Sequence, residues 1–177
     1  EYNNEKVGLH ADITVFSLHP RKFITTGEGG IITTQNKDLA DWMDSYKHFG
    51  MDMNSSTRGE IHFSNIGTNY KLTNIQAAVG LGQLEYIEEL LAKRISLANN
   101  YENLLANVQN VTLTHFSEKK TCLTCSCSSK KCKHSYQTFS VFVEDRDRII
   151  LEMREHGIEV QIGTYALHTH KAFQSNK

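Results

Sequence analysis

Apolar and polar positions first alternate with period two and then switch to a helical period. "ITVFS" (13–17) is β-branched and aromatic, and "GGIITT" (29–34) repeats that character after a glycine-rich turn, so two short strands are expected. "NKDLADWMDSYKHFG" then places Leu39, Trp42, Met43, Tyr46 and Phe49 on one face of a helix, with Asn36 as its N-cap and Gly50 as its stop. Residues 51–68 are polar, contain glycine and have no period, which reads as loop. Thr73 and Gln76 then form a capping-box pattern. Beyond them Ile75, Val79, Ile87, Leu91, Ile95, Ala98 and Leu105 keep to one stripe. A helix that long is expected to bend or to carry the chain from one domain to another. Gly80 and Gly82 weaken it locally, as close packing against a neighbouring element would require.

The last third reads differently. In "SYQTFSVFVE", Gln137, Phe139, Val141 and Val143 fall on one face of a strand. "DRDRIILEMREHG" is a helix ending at Gly157, and "IEVQI" (158–162) a further strand. Together they predict a β-α-β unit in a small second domain, with the boundary near residue 108 and hence units over 1–108 and 109–177. No repeat is visible.

Composition narrows the function more than the fold. The 177 residues are enough for one domain with a real core. Nineteen basic and twenty acidic side chains give a net charge of −1, which offers no general attraction to nucleic acid or to a membrane surface. No apolar stretch approaches spanning length, and the charged opening "EYNNEKVGLHADITVF" is no signal peptide. The opening lacks Met and "HTHKAFQSNK" ends without a strand or helix, so the chain is expected to be an internal piece of a larger, cytoplasmic protein.

Simple phosphate-loop, H-E-x-x-H and G-x-S-x-G motifs are absent. What remains is Ser17 at a strand end, Lys22 in the following bend and the turn "TTGEGG". A lysine amine attacks a carbonyl when desolvation or a cationic neighbour such as Arg21 lowers its pKa. The alternative is a solvated hairpin lysine. "CLTCSCSSKKCKH" offers a second chemistry: Cys122, Cys125, Cys127, Cys132 and His134 could hold zinc, although their spacing is not that of a zinc ribbon. The other reading of that cluster is a loop of reduced thiols. His168 and His170 alternate in a loop, where a hydrogen bond for His168 and exposure for His170 are the better readings over metal ligation.

The segment "ADITVFSLHPRKFITTGEGGIITT" resembles the cofactor-lysine region of the DegT/DnrJ/StrS family of sugar aminotransferases, which are fold-type I pyridoxal-phosphate enzymes. "YKHFGM", "GTNYKLTNIQAAVGLGQLEYIEELLAKR" and "GIEVQIGTYALHTHKAF" continue the resemblance in order, so it covers most of the chain. It implies an α/β fold: part of a large domain with a mostly parallel sheet and flanking helices, plus the start of a small α+β C-terminal domain. It implies pyridoxal 5'-phosphate as cofactor, Lys22 as its Schiff-base lysine and Ser17 as a phosphate ligand. Asn69 would reach the phosphate in the neighbouring subunit of a homodimer with shared sites. Lys71 stands where the family has arginine, which keeps the charge but loses the bidentate fork. Tyr165 and His168 would fall on the substrate side, and the acid that pairs with the pyridine nitrogen would lie upstream of this chain. The implied reaction moves an amino group from an amino-acid donor, glutamate, to a keto-sugar, nucleotide-linked. A dehydrating branch of the family has histidine at the lysine position, and Lys22 argues against it. The rival reading is a non-catalytic regulatory or binding module of the same fold, with a metal-organised cysteine cluster.

Overall fold

Several elements are framed by their own local chemistry. The computed structural model describes residues 1–52, 57–114 and 132–173. Strand β1 (Thr14–Ser17) pairs antiparallel with β2 (Gly30–Thr33), with Thr14 opposite Thr33 and Ser17 opposite Gly30. The two predicted strands are thus a hairpin, joined by a loop that holds Lys22. Helix α1 (Lys37–Lys47) starts at Asn36, whose side chain accepts from the Leu39 N–H at 3.2 Å. It ends through Phe49 and Gly50, both at positive φ, with the Gly50 N–H donating to the Ser45 carbonyl.

The segment after α1 folds back onto it. Phe49 N–H donates to Thr68 O, Thr68 N–H to Tyr46 O and Tyr70 N–H to Lys47 O, at 2.8–3.0 Å. Asn65 adds a side-chain bond from Nδ2 to the buried Ser45 Oγ at 3.0 Å. The two strands of this clasp touch at Gly50 and Gly67. A Cβ on Gly67 would stand 2.3 Å from the Gly50 nitrogen, so only glycine fits. Within residues 51–68, read as loop, the described part holds one 3-10 turn, Arg58–Glu60, and a single bridge of Met51 to Phe63.

The long helical stripe is two helices. Helix α2 (Asn74–Leu84) opens on the predicted capping box: Thr73 Oγ1 accepts from the Gln76 N–H and Gln76 Oε1 from the Thr73 N–H. The chain breaks at Glu85 and Tyr86, and α3 (Ile87–Leu105) continues with Glu88 and Glu89 in its first turn, where the helix dipole favours acids. Gly80 is a close-packing glycine, since a Cβ there would meet Thr26 Cγ2 at 3.1 Å. Gly82 has nothing within 4 Å, so the packing reading fails for it.

In the last third, β3 (Val111–Leu113) pairs antiparallel with β4 (Val141–Val143), and α4 (Arg146–Glu155) follows. Two corrections apply. The strand read over "SYQTFSVFVE" shrinks to Val141–Val143, and residues 158–162 form no strand. The backbone there is engaged by α4 instead: Ile158 N–H donates to Met153 O, and Val160 O accepts from the Arg154 guanidinium at 2.9 and 3.1 Å. Alternation alone cannot hold a strand whose ladder groups already have partners. Few hydrophobic side chains are buried within this chain taken by itself. Among the described residues only Leu18 and Ala98 are buried hydrophobics, while Val15, Ile31, Ile75 and Leu81 stand between 49% and 79% exposed.

The glycine contacts carry a paired prediction. Gly67→Ala should destabilise the protein by about 1–3 kcal/mol, because backbone must move to admit the methyl group. Gly82→Ala, in open space inside a helix, should stabilise by about 0.5–1 kcal/mol. Thermal unfolding of the purified full-length protein checks both, and equal shifts of one sign would contradict the contacts.

Candidate active site

The lysine loop is closed at its neck. Leu18, at the end of β1, donates its N–H to Gly29 O at 2.9 Å, and its carbonyl accepts from the Thr26 N–H at 3.1 Å and the Thr25 hydroxyl at 2.8 Å. Inside the loop, Lys22 N–H bonds His19 O at 2.8 Å, which sets the turn that lifts the lysine out. The return passes through Gly29 at φ +136, a backbone that side chains rarely adopt, with Thr26 Oγ1 donating to Glu28 O.

Three carboxamides fasten this loop from outside. Gln83 of α2 accepts the Thr25 N–H at 3.1 Å and donates to Thr25 O at 2.6 Å. Gln76 donates to Glu28 O at 3.0 Å, and Gln137 donates to Arg21 O. Arg94 of α3 lies over the Phe23 ring, 5.1 Å from its centroid. The sequence pattern marks Gln76 only as a cap and does not single out Gln83. A signal is present all the same, because Gln76, Gly80 and Gln83 share one face of α2 at i, i+4 and i+7.

Ser17 and Lys22 line one open recess of about 910 Å³, walled by Val15, Phe16, Ile31, Leu81 and Leu84. Of the three lysines on it, Lys6 pairs with Glu1 at 2.6 Å and Lys133 with Glu88 at 3.5 Å, while the Lys22 ammonium has no partner among the described residues. Ser17 Oγ accepts one long bond, 3.4 Å, from the His19 N–H, which leaves its hydrogen free to donate. Arg21, the cationic neighbour that the sequence offers, does not line the recess.

The other named residues lie elsewhere. Asn69 is bridged to His48 in the clasp, and Lys71 rests over the Phe49 ring, 4.2 Å from its centroid. Tyr165 meets His170 edge-on at 5.8 Å, and His168 sits in a 3-10 turn, Leu167–Thr169. None of these four site candidates lines the Lys22 recess.

Of the cysteine cluster, Cys122, Cys125 and Cys127 lie outside the described residues. Cys132 is disulfide-bonded, so the reduced-thiol reading fails there and its sulfur is no free thiolate. Burial pushes the His134 imidazole down in pKa, and its Nδ1 accepts the Tyr136 N–H at 2.9 Å. Among the described residues no group of three or more His, Cys, Asp or Glu side chains is placed to hold a metal ion. No helix of the described residues is long and apolar enough to cross a membrane.

Known proteins supply the context for this geometry. GDP-perosamine synthase of Caulobacter vibrioides is 45% identical over 115 residues, covering 64% of this chain and 30% of that protein. The Escherichia coli O157:H7 protein of the same name is 30% identical over 172 residues, 96% of this chain and 42% of its own. Among solved structures, Helicobacter pylori PseC, an aminotransferase involved in the biosynthesis of pseudoaminic acid, superposes with a TM-score of 0.82 at 29% identity. That likeness covers 98% of this chain and 44% of PseC. The aminotransferase from Psychrobacter cryohalolentis gives 0.85 at 26% identity, over 99% and 47%. The chain thus spans less than half the length of these relatives, and it shares the fold-type I architecture of sugar aminotransferases. The DegT/DnrJ/EryC1/StrS aminotransferase family profile matches residues 1–177 throughout, and the chain belongs to that family.

Proposed function

We propose that this chain supplies the lysine side of the active site of a pyridoxal-phosphate-dependent aminotransferase that aminates a keto-sugar, nucleotide-linked, with glutamate as donor. The observation that carries the reading is the unpartnered Lys22 ammonium, set beside Ser17 on a recess whose loop is fastened by side chains from outside it. The donor set fits the cofactor: an amine for its aldehyde, and a hydroxyl hydrogen free for its phosphate. Pyridoxal phosphate, when bound, supplies an aldehyde that takes an amine and a ring that withdraws electrons from the carbon to be deprotonated.

The chain's own residues do the rest. Lys22 Nζ would hold the cofactor through its aldehyde, and as a free amine it would serve as the base at the carbon to be deprotonated. Its amine would take and return the proton at the amino-acid or sugar carbon. Ser17 anchors the phosphate and so fixes the cofactor's reach from Lys22. Val15, Phe16 and Leu81 offer the cofactor an apolar wall on this side of the recess.

Asn69 serves the site of a second copy in this reading, since its own chain keeps it off the Lys22 recess. Tyr165 and His168 face the sugar. Lys71, over the Phe49 ring, contributes charge to the substrate side without a fork for a carboxylate. The boundary near residue 108 separates the cofactor-binding unit from the smaller C-terminal one.

Borohydride treatment of the cofactor-loaded, full-length protein should fix the label on Lys22, read by peptide mass. Label on a different lysine would overturn the assignment. Asn69→Ala should weaken cofactor binding by about 1.5–3 kcal/mol, the worth of a hydrogen bond to a charged group. Mixing Lys22→Ala with Asn69→Ala chains should restore activity as subunits exchange, because one site of each mixed dimer then holds both intact residues. Verified heterodimers without recovery would place Asn69 in its own chain's site or in none.

A further inference from the structure

The backbone on both sides of Lys22 is gripped by carboxamides from distant parts of the chain. Gln83 makes three bonds: Oε1 accepts the Thr25 N–H, and Nε2 donates to Thr25 O and, at 2.9 Å, to Val79 O of its own helix. The opposite orientation of that amide would set donor against donor and acceptor against acceptor, so the network fixes the flip. The bond to Val79 O locks the Gln83 side chain along α2, which makes it a rigid post rather than a tether. On the other side of the lysine, Gln137 donates to Arg21 O from across 116 residues of sequence. The loop's internal bonds close its neck at Leu18, but they leave Arg21 O and both Thr25 backbone groups to these two side chains.

We propose that Gln83 and Gln137 are positioning residues that hold the Lys22 amine at its working place by clamping the backbone at Thr25 and Arg21. This rests on the reading of Lys22 as the cofactor lysine. Neither glutamine need touch the cofactor. Each restricts the φ/ψ freedom of a loop whose lysine side chain is already long and flexible. Reaction rates fall steeply when a nucleophile is misplaced by about 1 Å. An isosteric methionine removes the polar contacts and keeps the volume.

The test uses the full-length protein freed of cofactor, with pyridoxal 5'-phosphate as the probe. Samples of wild type, Gln83→Met and Gln137→Met are quenched with borohydride at intervals, and the label is mapped by mass. Each variant should label Lys22 about tenfold or more slowly than wild type. Hydrogen exchange at the Thr25 amide should rise about tenfold in Gln83→Met, while α2 and the β1–β2 hairpin exchange as before. Labelling within about twofold of wild type in both variants would overturn the proposal. So would faster exchange throughout α2 and the hairpin in Gln83→Met, which marks a general staple. Should Gln83→Met fail to fold, Gln137→Met decides alone, by the same twofold limit. Wild-type label on a lysine other than Lys22 would fail the cofactor reading itself and remove the positioning role with it, whereas the Thr25 exchange result would stand.

Discussion

The two-way bond between the Gln83 carboxamide and the Thr25 backbone makes the lysine loop and α2 one mechanical unit. A side chain that satisfies both backbone groups of one residue mimics a β-bridge, and it does so where the loop has no strand beside it. Each such bond is worth about 1 kcal/mol net, but leaving its half-buried partners unmade costs about 1–3 kcal/mol each. Gly80 eases this contact. A Cβ there would stand 3.1 Å from Thr26 Cγ2, so the Thr26 side chain would have to give by a few tenths of an ångström.

The same helix links the lysine loop to the Asn69 segment. Lys71 and Leu72 lead into the Thr73 cap, so α2 takes its start directly from the clasp that α1 makes with residues 65–70. Gly67 sets the closeness of that clasp and Gln83 sets the placement of the loop, one at each end of a short rigid path. Asn69 is therefore held at a defined place away from its own chain's recess. Asn69 and Lys22 thus lie on separate faces of this chain.

Features that depend on neighbours in sequence are legible in the sequence itself. Asn36 and Thr73 act as caps because the groups they satisfy lie three residues away, and the hairpin follows from two β-branched runs around a glycine turn. Ser17 and Lys22 are reachable too, through the family resemblance, and they do share a recess. The role of Gln83 is not legible, since a side chain bonding a backbone 58 residues away leaves no period and no motif. The strand expected at 158–162 fails for a related reason. Its alternation is genuine, but Arg154 and Met153 claim the backbone groups a ladder would need. The break at Glu85–Tyr86 can be foreseen only as a bend, because the apolar stripe runs through it uninterrupted.

Burial explains why polar contacts weigh so heavily here. This chain by itself exposes 14352 Å², above the roughly 8,700 Å² of a complete folded monomer of its length, in keeping with its spanning less than half the length of its relatives. Each element offers an apolar stripe, yet a stripe stabilises only against a second layer, and β1, β2 and α2 leave theirs largely open. Among the described residues, two antiparallel strand pairs and four helices supply these faces. Within this chain, the segments that carry Lys22 and Asn69 are tied by hydrogen bonds. They are set by directional bonds to named backbone atoms: Leu18 O, Thr25 N and O, Arg21 O and Tyr46 O. Directional bonds fix orientation as well as distance, which apolar contact by itself does not provide for a side chain carried on a loop.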